Sequence, residues 1–143
     1  MTIFQIIIKN PPENKYWHMR VLVPVLSQKD NSDSFVRAAV KGASVVHLLL
    51  VLDSNSMHAN FGFKASEIMN GRQTVESIKK GIKANKKLCN DIIEWGNTIE
   101  KIAQIAEMKQ VGKIVVHNAE KNPHFNQVQM AIQQHTQIPV EVI

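Results

Sequence analysis

Val45-Val46-His47-Leu48-Leu49-Leu50-Val51-Leu52 is the stretch that decides the fold. It has the length of a strand, and only His47 interrupts its apolar character, so neither side is set aside for water. A strand covered on both faces belongs inside a parallel sheet, with crossover helices above and below it. Asp53-Ser54-Asn55-Ser56 ends the run with turn chemistry. Upstream, Phe35, Val36, Ala39 and Val40 recur at helical spacing as far as Gly42, and Asp30-Asn31-Ser32-Asp33 offers N-cap side chains ahead of them. Earlier still, Arg20-Val21-Leu22-Val23-Pro24-Val25-Leu26 reads as a strand. Pro24 suits an edge strand or a strand end, because it cannot donate to a ladder.

Downstream, the spacing predicts a helix over about Ala65 to Leu88, with Ile68, Val75, Ile78 and Ile82 on one face. Gly71 and Gly81 predict a bend or break within it. Asn90 to Trp95 is a short strand. Asn97 and Glu100 then form a capping-box pattern ahead of Ile99, Ile102, Ala103 and Ala106, and Gly112 stands where a left-handed C-terminal residue is wanted. Lys113 to His117 is the next strand, and Asn122-Pro123 opens a helix whose face is Phe125, Val128, Ile132 and His135. Ile138 to Ile143 closes the chain as a strand. Strands alternating with helices predict an α/β domain of Rossmann-like, three-layer α/β/α architecture, with a doubly wound parallel sheet of five strands. Its ligand crevice should lie beyond the carboxyl ends of the strands, where the winding reverses.

Residues 1–19 stand apart from this domain, which spans 20–143. Ile3, Phe4, Ile6, Ile7 and Ile8 predict an additional N-terminal strand, and Asn10-Pro11-Pro12-Glu13-Asn14-Lys15 a linker. So apolar an edge strand invites aggregation unless it adds to a sheet edge, its own or a second subunit's. The Pro11-Pro12 linker leaves exchange between subunits open, and Tyr16 and Trp17 are placed to pack at such a contact. A homodimer through edge strands is expected.

The 143 residues suit one domain, and 44% hydrophobic with 20% charged residues excludes wholesale disorder. The single cysteine, Cys89, excludes an internal disulfide framework and fits a reducing compartment. The longest apolar run is far too short to span a bilayer, and Thr2 to Ile8 lacks the flanks of a secretory leader. A cytoplasmic location away from membranes is the expectation. A net charge of +5 permits an anionic partner. Lys79, Lys80, Lys83, Lys86 and Lys87 form a basic helix face, but without interleaved aromatics it reads as solvated, and nucleic acid is not the expected partner.

The crevice is expected to be lined by Val25, Leu26, Ser27, Val51, His117 and Asn118. Ser27 to Ser32 is polar enough to hold an anion, although an ordinary solvated loop is favoured. His117 and His124 flank one turn, but no third ligand stands at metal-binding spacing, so no metal site is expected and surface or capping roles are favoured. His47 is expected to be a satisfied core or interface residue. Cys89, despite Lys86 and Lys87 beside it, is expected to be a buried structural thiol. No nucleophile elbow, P-loop or dinucleotide fingerprint is present, so no catalytic residue is assigned.

Taken in succession, these segments resemble the universal stress protein family. Arg20 to Val25 resembles its first strand, and Val46 to Asp53 its second. Glu94-Trp95-Gly96-Asn97-Thr98-Ile99-Glu100-Lys101-Ile102 resembles the family's "x-x-G-D-P-x-x-x-I" junction, Lys113 to Val116 its fourth strand, and Ile138-Pro139-Val140-Glu141-Val142 its "C-P-V-x-V" ending. The resemblance implies an ATP site with an acidic residue at the end of the first strand and a glycine-rich phosphate loop after the fourth. Here the acidic position is Leu26, no glycine follows Gly112, and His117-Asn118-Ala119-Glu120-Lys121-Asn122-Pro123 is shorter and carries Glu120. The expectation is therefore a non-catalytic regulatory or stress-response domain without a cofactor, ATP and AMP both being disfavoured. Two alternatives stay open: a sensor of a small ligand or adenine nucleotide with a divergent pocket, and a regulatory module that docks on a transporter or kinase.

Overall fold

The computed structural model describes residues 19–53 and 62–143. The N-terminal strand and proline linker, Tyr16, Trp17 and the Ser54-Asn55-Ser56 turn lie outside the described residues. Strand β1 is Arg20–Pro24, followed by a 3-10 turn, Gln28–Asp30, and helix α1, Asp33–Val40. Strand β2, Val45–Asp53, leads to the short β3, Phe63–Lys64, and to α2, Ile68–Ala84. Then come β4, Leu88–Trp95; α3, Thr98–Lys109; β5, Lys113–Val116; α4, Asn126–Gln133; and β6, Val140–Val142. The described strand pairs are all parallel, in the order β4-β2-β1-β5-β6. β3 pairs with Leu52 and Asp53 of β2, past the end of β1.

β2 holds the centre for the reason its sequence gives. Val46, Leu48, Leu50 and Leu52 pack with Phe35 and Val36 of α1 and Val75, Ile78 and Ile82 of α2. Leu49 and Val51 point the other way, to Ile99 and Ile102 of α3 and Val128 and Ile132 of α4. Each of these side chains contributes about 1.5–3 kcal/mol by leaving water. The doubly wound α/β architecture is as expected. Pro24 is the last residue of β1 and lies past the short ladder to β5, which covers Val21 and Leu22, so its missing N–H interrupts nothing there.

Four local expectations are corrected. α2 runs unbroken through both glycines. At Gly71 a Cβ would stand 2.9 Å from Leu50 Cδ1, so the glycine serves the close approach of helix to sheet. α2 ends at Ala84, with Lys86 left-handed at φ 62, so Lys86 and Lys87 leave the helix and the basic face is shorter than its spacing predicts. The left-handed cap of α3 is Gln110, not Gly112, whose N–H instead donates to Arg20 O at 2.7 Å. Pro123 opens a 3-10 turn, and α4 starts only at Asn126 and ends before His135. Two caps fall where expected: Ser32 accepts from Phe35 N–H, and Asn97 from Glu100 N–H. Among the described residues no helix is long and apolar enough to cross a membrane.

Candidate functional site

The winding reverses between β1 and β5, and the two loops leaving those strands meet there. After β1, Ser27 caps the 3-10 turn, its Oγ accepting from Lys29 N–H at 3.0 Å. Asp30 turns back under the strand end. Its Oδ2 accepts from Leu26 N–H at 2.7 Å and Ser27 N–H at 3.2 Å, and its Oδ1 lies 3.0 Å from His117 Nδ1. Asp30 is fully buried, while Gln28, Lys29 and Asn31 of the same loop are exposed, as a solvated loop requires. Burial pushes its carboxyl above the usual range, against the opposing pull of Leu26 N–H and of His117. On its other side His117 stacks on Phe35, with ring centroids 4.3 Å apart and planes 12° from parallel.

The loop after β5 is closed by its own side chains. Asn118 Oδ1 accepts from Asn122 N–H at 2.9 Å, and Asn118 Nδ2 donates to Asn122 O at 3.0 Å. Lys121 N–H donates to Asn118 O, with Lys121 left-handed at φ 51. Asn118 N–H donates to Ile143 O, and Phe125 N–H to Asn122 O. Across the opening, Lys29 and Glu120 form an exposed ion pair. Between the loops lies a crevice of about 560 Å³, lined by Leu26 and Ser27 after β1 and by His117 to Pro123 and Phe125 after β5.

Four of the six residues expected at the crevice are therefore brought together. Val25 and Val51 are not: Val25 takes the face opposite Leu26, and Val51, though on the face of Leu26, is covered by packing there. Val25 packs into the α1–α2 core, and Val51 into the α3–α4 core. The local sequence marks Asp30 as an N-cap candidate and as part of a polar loop, not as a partner of His117. Its partner stands 87 residues away, so nothing in the local sequence signals the pair. The partner of His117 is Asp30; the His124 side chain lies outside the described residues. At the carboxyl end of β2, buried Asp53 accepts from Thr98 N–H and Oγ1 at 3.1 and 3.2 Å, tying β2 to the start of α3.

Outside the crevice, His47 is buried, as a core residue would be, and its Nδ1 has no hydrogen-bond partner among the described residues. Burial, with Lys109 and Arg20 nearby, holds its pKa below the usual histidine value. Cys89 is half-buried and packs against the α1–α2 core. Burial pushes its thiol up to about 11 despite the lysines around it, which fits a structural role. Lys79 pairs with Asp91 at 2.6 Å, and the hydrogen bond raises its pKa. Among the described residues no group of three His, Cys, Asp or Glu is placed to hold a metal ion.

A parallel sheet in this order, flanked by two helices on each face and open at the reversal, defines a nucleotide-binding-like α/β fold. Solved structures give that fold a name. A universal stress protein from Archaeoglobus fulgidus in complex with dAMP is 17% identical, with a TM-score of 0.66 over 87% of this chain and 97% of that one. A universal stress protein in complex with cAMP is 13% identical, with a TM-score of 0.56 over 89% and 97%. The hypothetical protein MJ0577 is 19% identical, with a TM-score of 0.67 over 88% and 95%. At these identities the likeness shows the fold, that of the universal stress proteins. No family model matches the chain, and no curated protein matches it in sequence.

Proposed function

We propose that this is a divergent universal stress protein in which residues 20–143 form the domain and residues 1–19 an appended strand and linker. In this reading it acts in the cytoplasm as a non-catalytic regulatory or stress-response homodimer joined through edge strands, and it has given up ATP. One observation carries the loss of ATP. The loop after β5, where backbone amides would converge on phosphates, turns the N–H groups of Asn118, Lys121, Asn122 and Phe125 onto internal acceptors. Glu120 adds a carboxylate at the same turn, and the Leu26 side chain offers no acceptor at the end of β1. Equilibrium dialysis with labelled ATP tests the reading: no retention at micromolar concentration is expected, and micromolar affinity would falsify it. Light scattering on the eluted protein tests the dimer, for which twice the chain mass is expected.

A second reading is favoured by the crevice itself. A volume of about 560 Å³ is ample for a small ligand, and two structures of this fold hold dAMP and cAMP. Here the domain is a sensor whose pocket has changed its ligand rather than lost it. Mass spectrometry of protein purified without added ligand tests this: a co-purifying small molecule supports it, and an empty pocket in every preparation counts against it.

A further inference from the structure

We propose that the outer edge of β4 is a docking edge and that its occupant is residues 3–8 of the same chain, added as an antiparallel strand. The inference deepens the reading above that residues 1–19 are an appended strand and linker, and it rests on that reading. β4 is in register with β2 along its whole length, from Val45 opposite Leu88 to Leu52 opposite Trp95. Among the described residues it pairs with β2 alone. Leu88 N–H donates to Ser44 O and Gly96 N–H to Leu52 O, so the even-numbered positions face β2. Cys89, Asp91, Ile93 and Trp95 then turn their N–H and C=O groups outward, a template for one more strand.

No proline, bulge or unpaired charge guards this edge. Its two carboxylates are taken up by helices, Asp91 by Lys79 of α2 and Glu94 by Lys101 of α3. Leu88 and Trp95 are exposed at its two ends, and Ile92 and Ile93 are half-buried on its two faces. Ile3-Phe4-Gln5-Ile6-Ile7-Ile8 matches that surface, being uncharged and apolar at both odd and even positions. The opposite margin of the sheet, β6, offers only Val140–Val142. Chain length sets the direction. Met19 O accepts from Ser44 N–H, which fixes the start of β1 at the amino end of the sheet. The place beyond β4 lies three strand spacings from β1, about 14 Å, and residues 9–18 reach about 33 Å when extended. An antiparallel strand returns the chain to the amino end of the sheet, so this linker suffices. A parallel one needs a crossover of about a dozen residues or more. The tether also holds the segment at about millimolar effective concentration, ahead of the same segment from a second copy.

Amide exchange in the full chain tests the docking, against a variant carrying Ile6→Pro and Ile7→Pro, which withdraws a donor from each side of the added strand. In the wild type the amides of Cys89, Asp91, Ile93 and Trp95 should be protected, and in the variant they should exchange about tenfold faster or more. Asn90, Ile92 and Glu94, which face β2, should stay protected in both and report that the domain is folded. Nuclear Overhauser contacts in the wild type should join residues 3–8 to β4 in antiparallel register, an arm that stands even where the variant does not fold. Fast exchange at the four outward amides of the wild type overturns the proposal. If residues 3–8 are nevertheless protected, the appended strand survives and only its place is wrong; if they too exchange freely, both readings fail. Protection of the four amides that is lost on dilution assigns the strand to a second copy and overturns docking within the chain.

Discussion

Two histidines on neighbouring parts of the sheet have opposite surroundings. His47 sits in the first half of β2, opposite Leu22 on one side and Asn90 on the other; it is 7% exposed, and its Nδ1 has no partner among the described residues. His117 sits just past β5, held by Asp30 and stacked on Phe35, with one edge on the crevice. Burial, with Lys109 and Arg20 nearby, opposes protonation of the first, whereas the second is hydrogen-bonded to a buried carboxyl group. The difference separates two kinds of polar residue in one fold. At the amino end of the sheet a polar ring is a defect that packing overcomes. At the carboxyl end polar groups are wired to one another, and that wiring shapes the crevice.

The comparison breaks most visibly at Asp30. Asp30→Ala removes the acceptor of Leu26 N–H, Ser27 N–H and His117 Nδ1 together, and a cost of about 3 kcal/mol is expected. The raised pKa of the carboxyl says that its burial is not wholly compensated, which keeps the figure at the low end for a buried network. Urea unfolding of the variant measures it. A loss below about 1 kcal/mol means that the network does not hold the loop, and the contrast with His47 disappears.

His47 should respond with the opposite sign. His47→Leu removes an unsatisfied buried nitrogen from an apolar strand and should stabilise by about 1–2 kcal/mol at neutral pH. The pH dependence follows from the direction of the shift. The folded pKa lies below the ordinary histidine value of 6.5, so the unfolded chain binds the proton first as pH falls. The stability associated with neutral His47 is present above 6.5 and is lost as pH falls from there towards the folded pKa. Asp30, raised above 3.8, contributes with the opposite sign: folding is relieved of its buried charge as acid protonates it. Wild-type urea midpoints should therefore drop between pH 7.5 and 5.5 more steeply than those of His47→Leu; parallel curves would remove His47 as the cause. Next in size is Asn118→Ala, which loses both side-chain bonds to Asn122 and should cost about 1 kcal/mol. Amide exchange at Asn122 should quicken with it, and unchanged exchange would show that the loop is held by other means.

The same contrast explains what the sequence discloses. The run Val45 to Leu52 is legible because covering both faces of a strand leaves a local mark. Leu26, Ser27, His117 and Asn118 are legible as crevice residues because topology alone sends ligands to strand ends at the reversal. Val25 misleads, since a position near the strand end does not say which face its side chain takes, and Val51 misleads because packing covers it on the face it shares with Leu26. Gly71 misleads in another way. Its local preference is to break a helix, but contact with Leu50 decides the matter, and that contact is tertiary. Satisfaction of a buried polar group is tertiary as well. Nothing near His47 marks it as unpartnered, and nothing near His117 points to Asp30.

The smallest expected effect marks where the wiring ends. Lys29 and Glu120 join the two loops, yet both side chains are 63% exposed, and water screens the pair. Lys29→Ala should therefore change stability by less than about 0.5 kcal/mol, and less still at high salt. Its consequence should appear in ligand charge instead. With the cation gone, Glu120 stands unneutralised at the rim, so any residual affinity for ATP should fall. If Lys29→Ala destabilises as strongly as Asn118→Ala, the rim belongs to the same network as Asp30, and the boundary between wired floor and solvated mouth has to be moved outward.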